Sequence, residues 1–200
     1  MIKSEIKNLI FDIGGVIIFK KRIDFLKFDN SFSFKTGTTK KIIDICFKEK
    51  MLDKDFDEKS FFSSRFSNLL NWEDYQKILK EIYKTETVNK DILTWIEKKK
   101  KRYKIFLLTN NTKNIRDLLK NRFKIDYLFS FIFNSAEIGL AKPDRKFFEY
   151  VLNEIDSPAK NCLFVDDNSK NTEAAKNIGF STILFNGNAN FFENIEKMNI

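Results

Sequence analysis

The sequence predicts an α/β fold: a Rossmann-like parallel sheet flanked by helices, with a helical cap subdomain inserted after the first strand. Three observations predict it. Short apolar runs alternate with amphipathic stretches, the pattern of parallel strands joined by crossover helices. Several of those runs end at an acid or hydroxyl followed by turn residues. The stretch between the first two runs is too long for an ordinary connection.

Residues 6–11 (IKNLIF) read as a buried strand that enters a turn at Asp12, Gly14 and Gly15. From Lys20 to Asn89 the pattern is helical, with no strand expected, over 39–51, 58–70 and 72–83. Phe47, Phe56, Phe61, Phe62 and Phe66 supply that region with a core of its own. Residues 90–98 then form the helix that returns to the sheet. The expected boundaries are therefore 1–19 with 90–200 for the sheet domain and 20–89 for the insert.

The second strand is expected at 103–109, followed by a helix over 112–123 that turns Ile115, Leu118 and Leu119 to one face. A third strand covers 129–133. Pro143 opens a helix in its first turn, carrying Phe147, Tyr150 and Val151 inward. A fourth strand, 161–165, ends at Asp166–Asp167, and a helix over 171–178 is closed by Gly179. Residues 180–185 complete the sheet. The cationic run Lys98 to Arg102 (KKKKR) reads as charge at a helix C-terminus, where it complements the helix dipole.

Composition narrows the chemistry. With 42% hydrophobic and 32% charged residues in a chain of 200, the proportions are globular. No histidine is present, which excludes Ser-His-Asp and Cys-His nucleophile pairs and histidine-ligated zinc or iron. Cys46 and Cys162 are too few for a Cys₄ zinc site or a disulfide framework, and Cys162 reads as a small buried apolar residue. Carboxylates, hydroxyls, lysine and backbone amides remain, and these suit oxygen-ligated metals such as Mg²⁺.

The net charge of +8 attracts anions. A chain crowded with Lys, Asn, Ile and Phe throughout explains that charge as bias, so no nucleic-acid partner is expected. No apolar run reaches the eighteen or so residues of a membrane span. The run from Leu9 to Phe19 is broken by Asp12, Gly14 and Gly15, unlike a targeting segment. Unpaired cysteines point to a reducing, cytoplasmic setting, and the sequence carries no indication of oligomeric state.

Ligands of a doubly wound sheet bind beyond the carboxyl ends of its strands. There the sequence places Asp12, then Thr109-Asn110-Asn111, then Lys142 before a helix, then Asp166-Asp167 with Asn171 following. Taken singly, Asp12 could cap a turn, Thr109 could be an ordinary strand residue and Lys142 a loop lysine. Together, three carboxylates so close would repel one another and call for a divalent cation. Lys142 and free amides beside them could hold a phosphate.

The segments IFDIGGVII, LLTNN, GLAKPDRKFF and FVDDNSKNTEAAKNIGF resemble, in order, the four motifs of the haloacid dehalogenase superfamily of phosphohydrolases. The insert sits where that family places a cap. The resemblance implies Asp12 as nucleophile and Lys142 as the charge-neutralising lysine. It implies Thr109, the Asn110 amide and Lys142 as the phosphate contacts. Mg²⁺ would be held by Asp12, the Gly14 carbonyl, Asp166 and Asp167, with Asn171 orienting the acids. The implied activity is a Mg²⁺-dependent phosphatase working through an aspartyl-phosphate on a small phosphorylated metabolite, a sugar phosphate being one candidate.

One position departs from the family pattern. Many family phosphatases carry a second aspartate two residues after the nucleophile, as general acid and base. Here Gly14 stands there. Its Gly-Gly variant is similar to a branch that includes sugar-1-phosphate phosphatases. The leaving group could be acidic enough to depart unaided, Asp24 or Asp29 of the insert could supply the proton, or the protein could be a vestigial enzyme or non-catalytic binding module. A haloacid dehalogenase, which needs no such acid, is the remaining alternative.

Overall fold

A computed structural model describes residues 6–21, 23–52 and 55–200 of the chain. The first strand, β1 (Asn8–Phe11), has all four residues buried, as befits a strand covered on both faces: Leu9, Ile10 and Phe11 are apolar, and Asn8 Nδ2 donates to Ser157 Oγ at 2.8 Å. The short β2 (Ile18–Lys20) follows the turn, and four helices come next: α1 (Phe25–Ser31), α2 (Thr38–Leu52), α3 (Glu58–Phe66) and α4 (Trp72–Lys84). β3 (Glu86–Val88) returns antiparallel to β2, with Ile18 opposite Val88 and Lys20 opposite Glu86. The expectation of no strand between residues 20 and 89 is corrected: three-residue strands are too short to show an alternating period.

After α5 (Lys90–Lys99) and β4 (Lys104–Thr109), the expected single helix over 112–123 is replaced by a short α6 (Ile115–Asp117) that winds on as a π-helical turn over Leu118–Arg122. β5 (Phe131–Asn134) leads into α7 (Ser135–Ile138). The next helix, α8 (Arg145–Glu154), starts later than expected. Pro143 lies ahead of it, joined to Lys142 by a cis peptide bond, and Asp144 is the N-cap, accepting from the Lys146 amide. The aspartate supplies the cap oxygen that a proline at that place cannot. β6 (Cys162–Asp166), α9 (Ser169–Ile178), β7 (Ser181–Leu184) and α10 (Asn188–Lys197) complete the chain. Gly179 closes α9 in the left-handed region as expected, with φ +104°.

Five strands form one parallel sheet in the order β5-β4-β1-β6-β7, so β1 lies at its centre. Alternation along the strands feeds two cores. Leu9, Phe11, Leu107 and Val165 pack on one face with Ile92 and Ile96 of α5 and Phe191 of α10. Ile10, Leu108 and Phe164 pack on the other with Phe147, Phe148 and Val151 of α8. The inserted helices have a third core, in which Phe62 stacks on Tyr75 at 4.4 Å between ring centroids. The Lys98 and Lys99 side chains stand in the last turn of α5, as the cationic run predicts. Both cysteines are free and buried, and among the described residues no helix is long and apolar enough to cross a membrane.

Candidate functional site

Register brings the acids together. Phe11 pairs with Val165 and Leu107 across the centre of the sheet, so the residues that follow, Asp12 and Asp166, leave neighbouring parallel strands at one level. The Asp12 amide donates to the Val165 carbonyl at 2.8 Å and fixes that exit. Lys142 Nζ lies 2.8 Å from Asp12 Oδ1 and 2.7 Å from Asp166 Oδ2, with its side chain only 1% exposed. Buried so deeply, that ammonium is tolerated because two carboxylates face it.

Each member of this group is held by others. Asn171 Nδ2 donates to both carboxylate oxygens of Asp166, at 3.1 and 3.0 Å, and the Asn168 amide adds a third bond at 2.8 Å. Asn110 straps the lysine: its Nδ2 donates to the Lys142 carbonyl at 2.7 Å, and its Oδ1 accepts from the Lys142 amide at 2.8 Å. Sequence reading missed this contact, since nothing local links side chain and backbone across so many intervening residues. Ser135, also unforeseen, accepts from the Asn111 amide at 3.1 Å. Thr109 is buried at the end of β4.

Carboxylate oxygens of Asp12, Asp166 and Asp167 lie within 4.8 Å of one another. Burial pushes Asp12 up to about 6; the Lys142 charge opposes the rise and Asp166 adds to it. Asp167, at the exposed end, is also held above its ordinary value, by desolvation first and by the Asp166 charge second. One ammonium therefore leaves negative charge incompletely compensated. Three hard oxygen donors so disposed fit a divalent cation such as Mg²⁺. Gly15 adopts φ +75°, and a Cβ there would meet Asp167 Oδ2 at 2.1 Å, whereas a Cβ on Gly14 would meet nothing within 4 Å.

Asp24 and Asp29 are committed elsewhere. Asp24 caps α1 by accepting from the Leu26 amide at 3.1 Å. Asp29 is buried and accepts from the Gly37 and Thr39 amides at 2.6 and 2.8 Å. Both carboxylates hold the backbone of the insert.

A cavity of about 360 Å³ adjoins the loops after β1 and β4. Ile13, Gly14, Gly15, Asn110 and Asn111 line its inner side, and Phe47 and Met51 of α2 with Tyr83 of α4 line the other. Ile115, Leu118 and the ribbon residues Ile18, Lys20 and Glu86 complete it. Glu86 is buried, with Lys20 Nζ 3.4 Å from its Oε1 and Arg122 Nη1 3.5 Å from its Oε2. Burial raises its carboxyl above the ordinary value, and Lys20 and then Arg122 oppose the rise.

Comparison with known proteins adds a family. Residues 9–185 match the model of the haloacid dehalogenase-like hydrolases. Among curated proteins, the sesquiterpene phosphatase astK of Aspergillus oryzae is 38% identical over 76 residues, covering 38% of this chain and 38% of that protein. Bifunctional epoxide hydrolase 2 of Rattus norvegicus is 28% identical over 104 residues, covering 50% of this chain and 19% of that protein. The drimenol cyclase drtB of Aspergillus calidoustus is 45% identical over 58 residues, covering 29% of this chain and 11% of that protein. The chain thus spans well under half the length of these relatives. A Porphyromonas gingivalis protein described as a predicted haloacid dehalogenase-like family hydrolase has the same fold, with TM-score 0.79, 21% identity and coverage of 97% of this chain and 98% of that one. So does a Bacteroides thetaiotaomicron enzyme crystallised with magnesium and inorganic phosphate, with TM-score 0.72, 22% identity and coverage of 89% and 93%. With its central acid, bridging lysine and paired acids in the family's order, and a match that runs through both ends of the sheet, the chain belongs to the haloacid dehalogenase-like hydrolases.

Proposed function

We propose that the protein is a Mg²⁺-dependent phosphatase that releases inorganic phosphate from a small phosphorylated metabolite through an aspartyl-phosphate. The observation that carries this reading is Lys142 bridging Asp12 and Asp166 beside Asp167. Such a group can accept a dianion next to a carboxylate nucleophile, which an isolated acid cannot. Relatives named as a phosphatase and as a magnesium- and phosphate-bound enzyme support it.

In this reading Asp12 attacks phosphorus, the bond from phosphorus to the alcohol oxygen breaks, and water then attacks the phosphorus of the aspartyl-phosphate to restore the carboxylate. Asp12, Asp166, Asp167 and the Gly14 carbonyl would hold Mg²⁺, which when bound offsets the charge on nucleophile and phosphate. Lys142, the Thr109 hydroxyl and the Asn110 backbone amide bind the equatorial oxygens as charge redistributes. The Asn110 side chain keeps Lys142 in place, and Asn171 orients Asp166. Residue 14 offers no proton to the leaving oxygen, so protonation falls to water or the leaving group departs as an anion.

The Gly14–Gly15 pair after Asp12 supports a place in the capped, Gly-Gly branch, where sugar-1-phosphate phosphatases are also found. The core at 1–19 and 90–200 and the cap at 20–89 go with it, the first five residues of that core lying outside the described ones. The free, buried cysteines fit a cytoplasmic protein. Nucleic acid and membrane have no part in this reading.

Phosphate release from 4-nitrophenyl phosphate tests the proposal. Activity should require Mg²⁺, vanish with EDTA and fall to background in Asp12→Asn. Full activity in Asp12→Asn would refute the nucleophile. Gly14 keeps one rival open: halide release from a haloacid without metal would replace the phosphatase by a dehalogenase. No activity of either kind would leave a binding module.

A further inference from the structure

We infer that the substrate's leaving alcohol is apolar, a hydrocarbon-chain or aromatic phosphate rather than a polyhydroxylated one; this deepens, and rests on, the phosphatase reading above. The cavity adjoins Ile13–Gly15, directly after Asp12, and Asn110–Asn111, directly after Thr109. A phosphoryl group at Asp12 therefore directs the remainder of its ester into that space. Phe47, Met51, Tyr83, Ile115 and Leu118 wall it. At about 30 Å³ for a water-sized group, 360 Å³ has room for on the order of ten methylenes.

Most polar side chains on the wall point the same way, because they are already engaged within the protein; the exception is Glu86 Oε2, which is buried without a hydrogen bond. Asn110 is bonded twice to the Lys142 backbone. Asn111 Oδ1 accepts from the Thr112 amide at 2.8 Å. Lys20 and Glu86 face each other, with Arg122 against the second Glu86 oxygen. A polyhydroxylated sugar brought here could give one hydroxyl to Glu86 Oε2 but would leave the others desolvated and unpaired, which disfavours it. An alkyl or aromatic group loses nothing by the same transfer and gains by leaving water.

Two phosphonates with one head group and no hydrolysable bond isolate the contribution of the chain. In Mg²⁺, octylphosphonate should bind at least about tenfold more tightly than methylphosphonate by calorimetry, a ratio that two buried methylenes would supply. Met51→Asn on α2 and Leu118→Asn on the π-helical turn should each reduce that ratio several-fold; either variant suffices if the other fails to fold. Equal affinities in the native protein, or a ratio unchanged in the folded variants, would overturn the inference. Octyl phosphate and glucose 6-phosphate are both esters of primary alcohols, so their leaving groups are closely matched. The first should be hydrolysed with kcat/KM at least about tenfold higher; parity or the reverse order also overturns it. A binding ratio that holds while neither ester releases phosphate sinks the phosphatase reading and leaves the apolar site standing.

Discussion

Gly15 and Asp167 are packed so closely that a Cβ on the first would lie 2.1 Å from Oδ2 of the second. The glycine also sits at φ +75°, where an alanine is strained by about 1–2 kcal/mol. Gly15→Ala should lower stability by about that amount and push the Asp167 carboxylate aside. Magnesium titration should then show weaker binding, and an unchanged magnesium midpoint would remove Asp167 from the proposed ligand set.

Lys142→Met keeps an unbranched side chain only one atom shorter and deletes its charge. Asp12 and Asp166 would then face each other without an ammonium between them, and breaking a buried ion pair in this way costs about 3–5 kcal/mol. Thermal unfolding without metal should report that loss. Added Mg²⁺ should recover part of the stability but none of the phosphatase activity.

Gly14 has open space where a side chain would be. Gly14→Asp should therefore fold within about 0.5 kcal/mol of the native protein, as substitutions clear of packing usually do. It should raise kcat on alkyl phosphates, by up to the 10²–10⁴ typical of general acid help, and do less for aryl phosphates, whose leaving groups are more acidic. A uniform effect across both classes would show that residue 14 is not where the proton is lacking.

Asp29 predicts a pH dependence. Burial works to raise its carboxyl, but bonds from Thr39 and Gly37 outweigh burial and hold it below the ordinary 3.8. A depressed value means the folded state favours the ionised form, so the stabilisation is present above pH 3.8 and is lost as pH falls through the lower folded value. Asp29→Asn should cost about 1–3 kcal/mol at pH 7 in urea unfolding, and less at pH 3. A difference that does not change with pH would show that the charge contributes nothing.

Much of the site was legible because parallel strands in register deliver the residues that follow them to one edge. That is how Asp12 and Asp166, more than a hundred and fifty positions apart, came to share Lys142, and why Asn171, in the first turn of α9, reaches Asp166. The strap from Asn110 to Lys142 had no such signal, since an asparagine after a strand looks the same whether it binds ligand, backbone or water. Asp24 and Asp29 misled for a related reason: an acid at a helix start, like Asp24, or late in a helix, like Asp29, reads equally as a backbone acceptor or as a proton donor, and only its neighbours decide. β2 and β3 escaped notice because their pairing, not their sequence, makes them strands. Pro143 promised a helix start that Asp144, with an oxygen to offer, took instead.

Arg122 gives the helical insert an anchor outside itself. From the π-helical turn it donates to the Tyr83 and Glu86 carbonyls and faces the Glu86 carboxylate. Cut out and grafted elsewhere, residues 20–89 would lose that guanidinium, along with the Ile18 end of the β2–β3 pairing. The helices are thus a poor candidate for domain shuffling: whatever chemistry they select for is inherited together with the sheet that bears them.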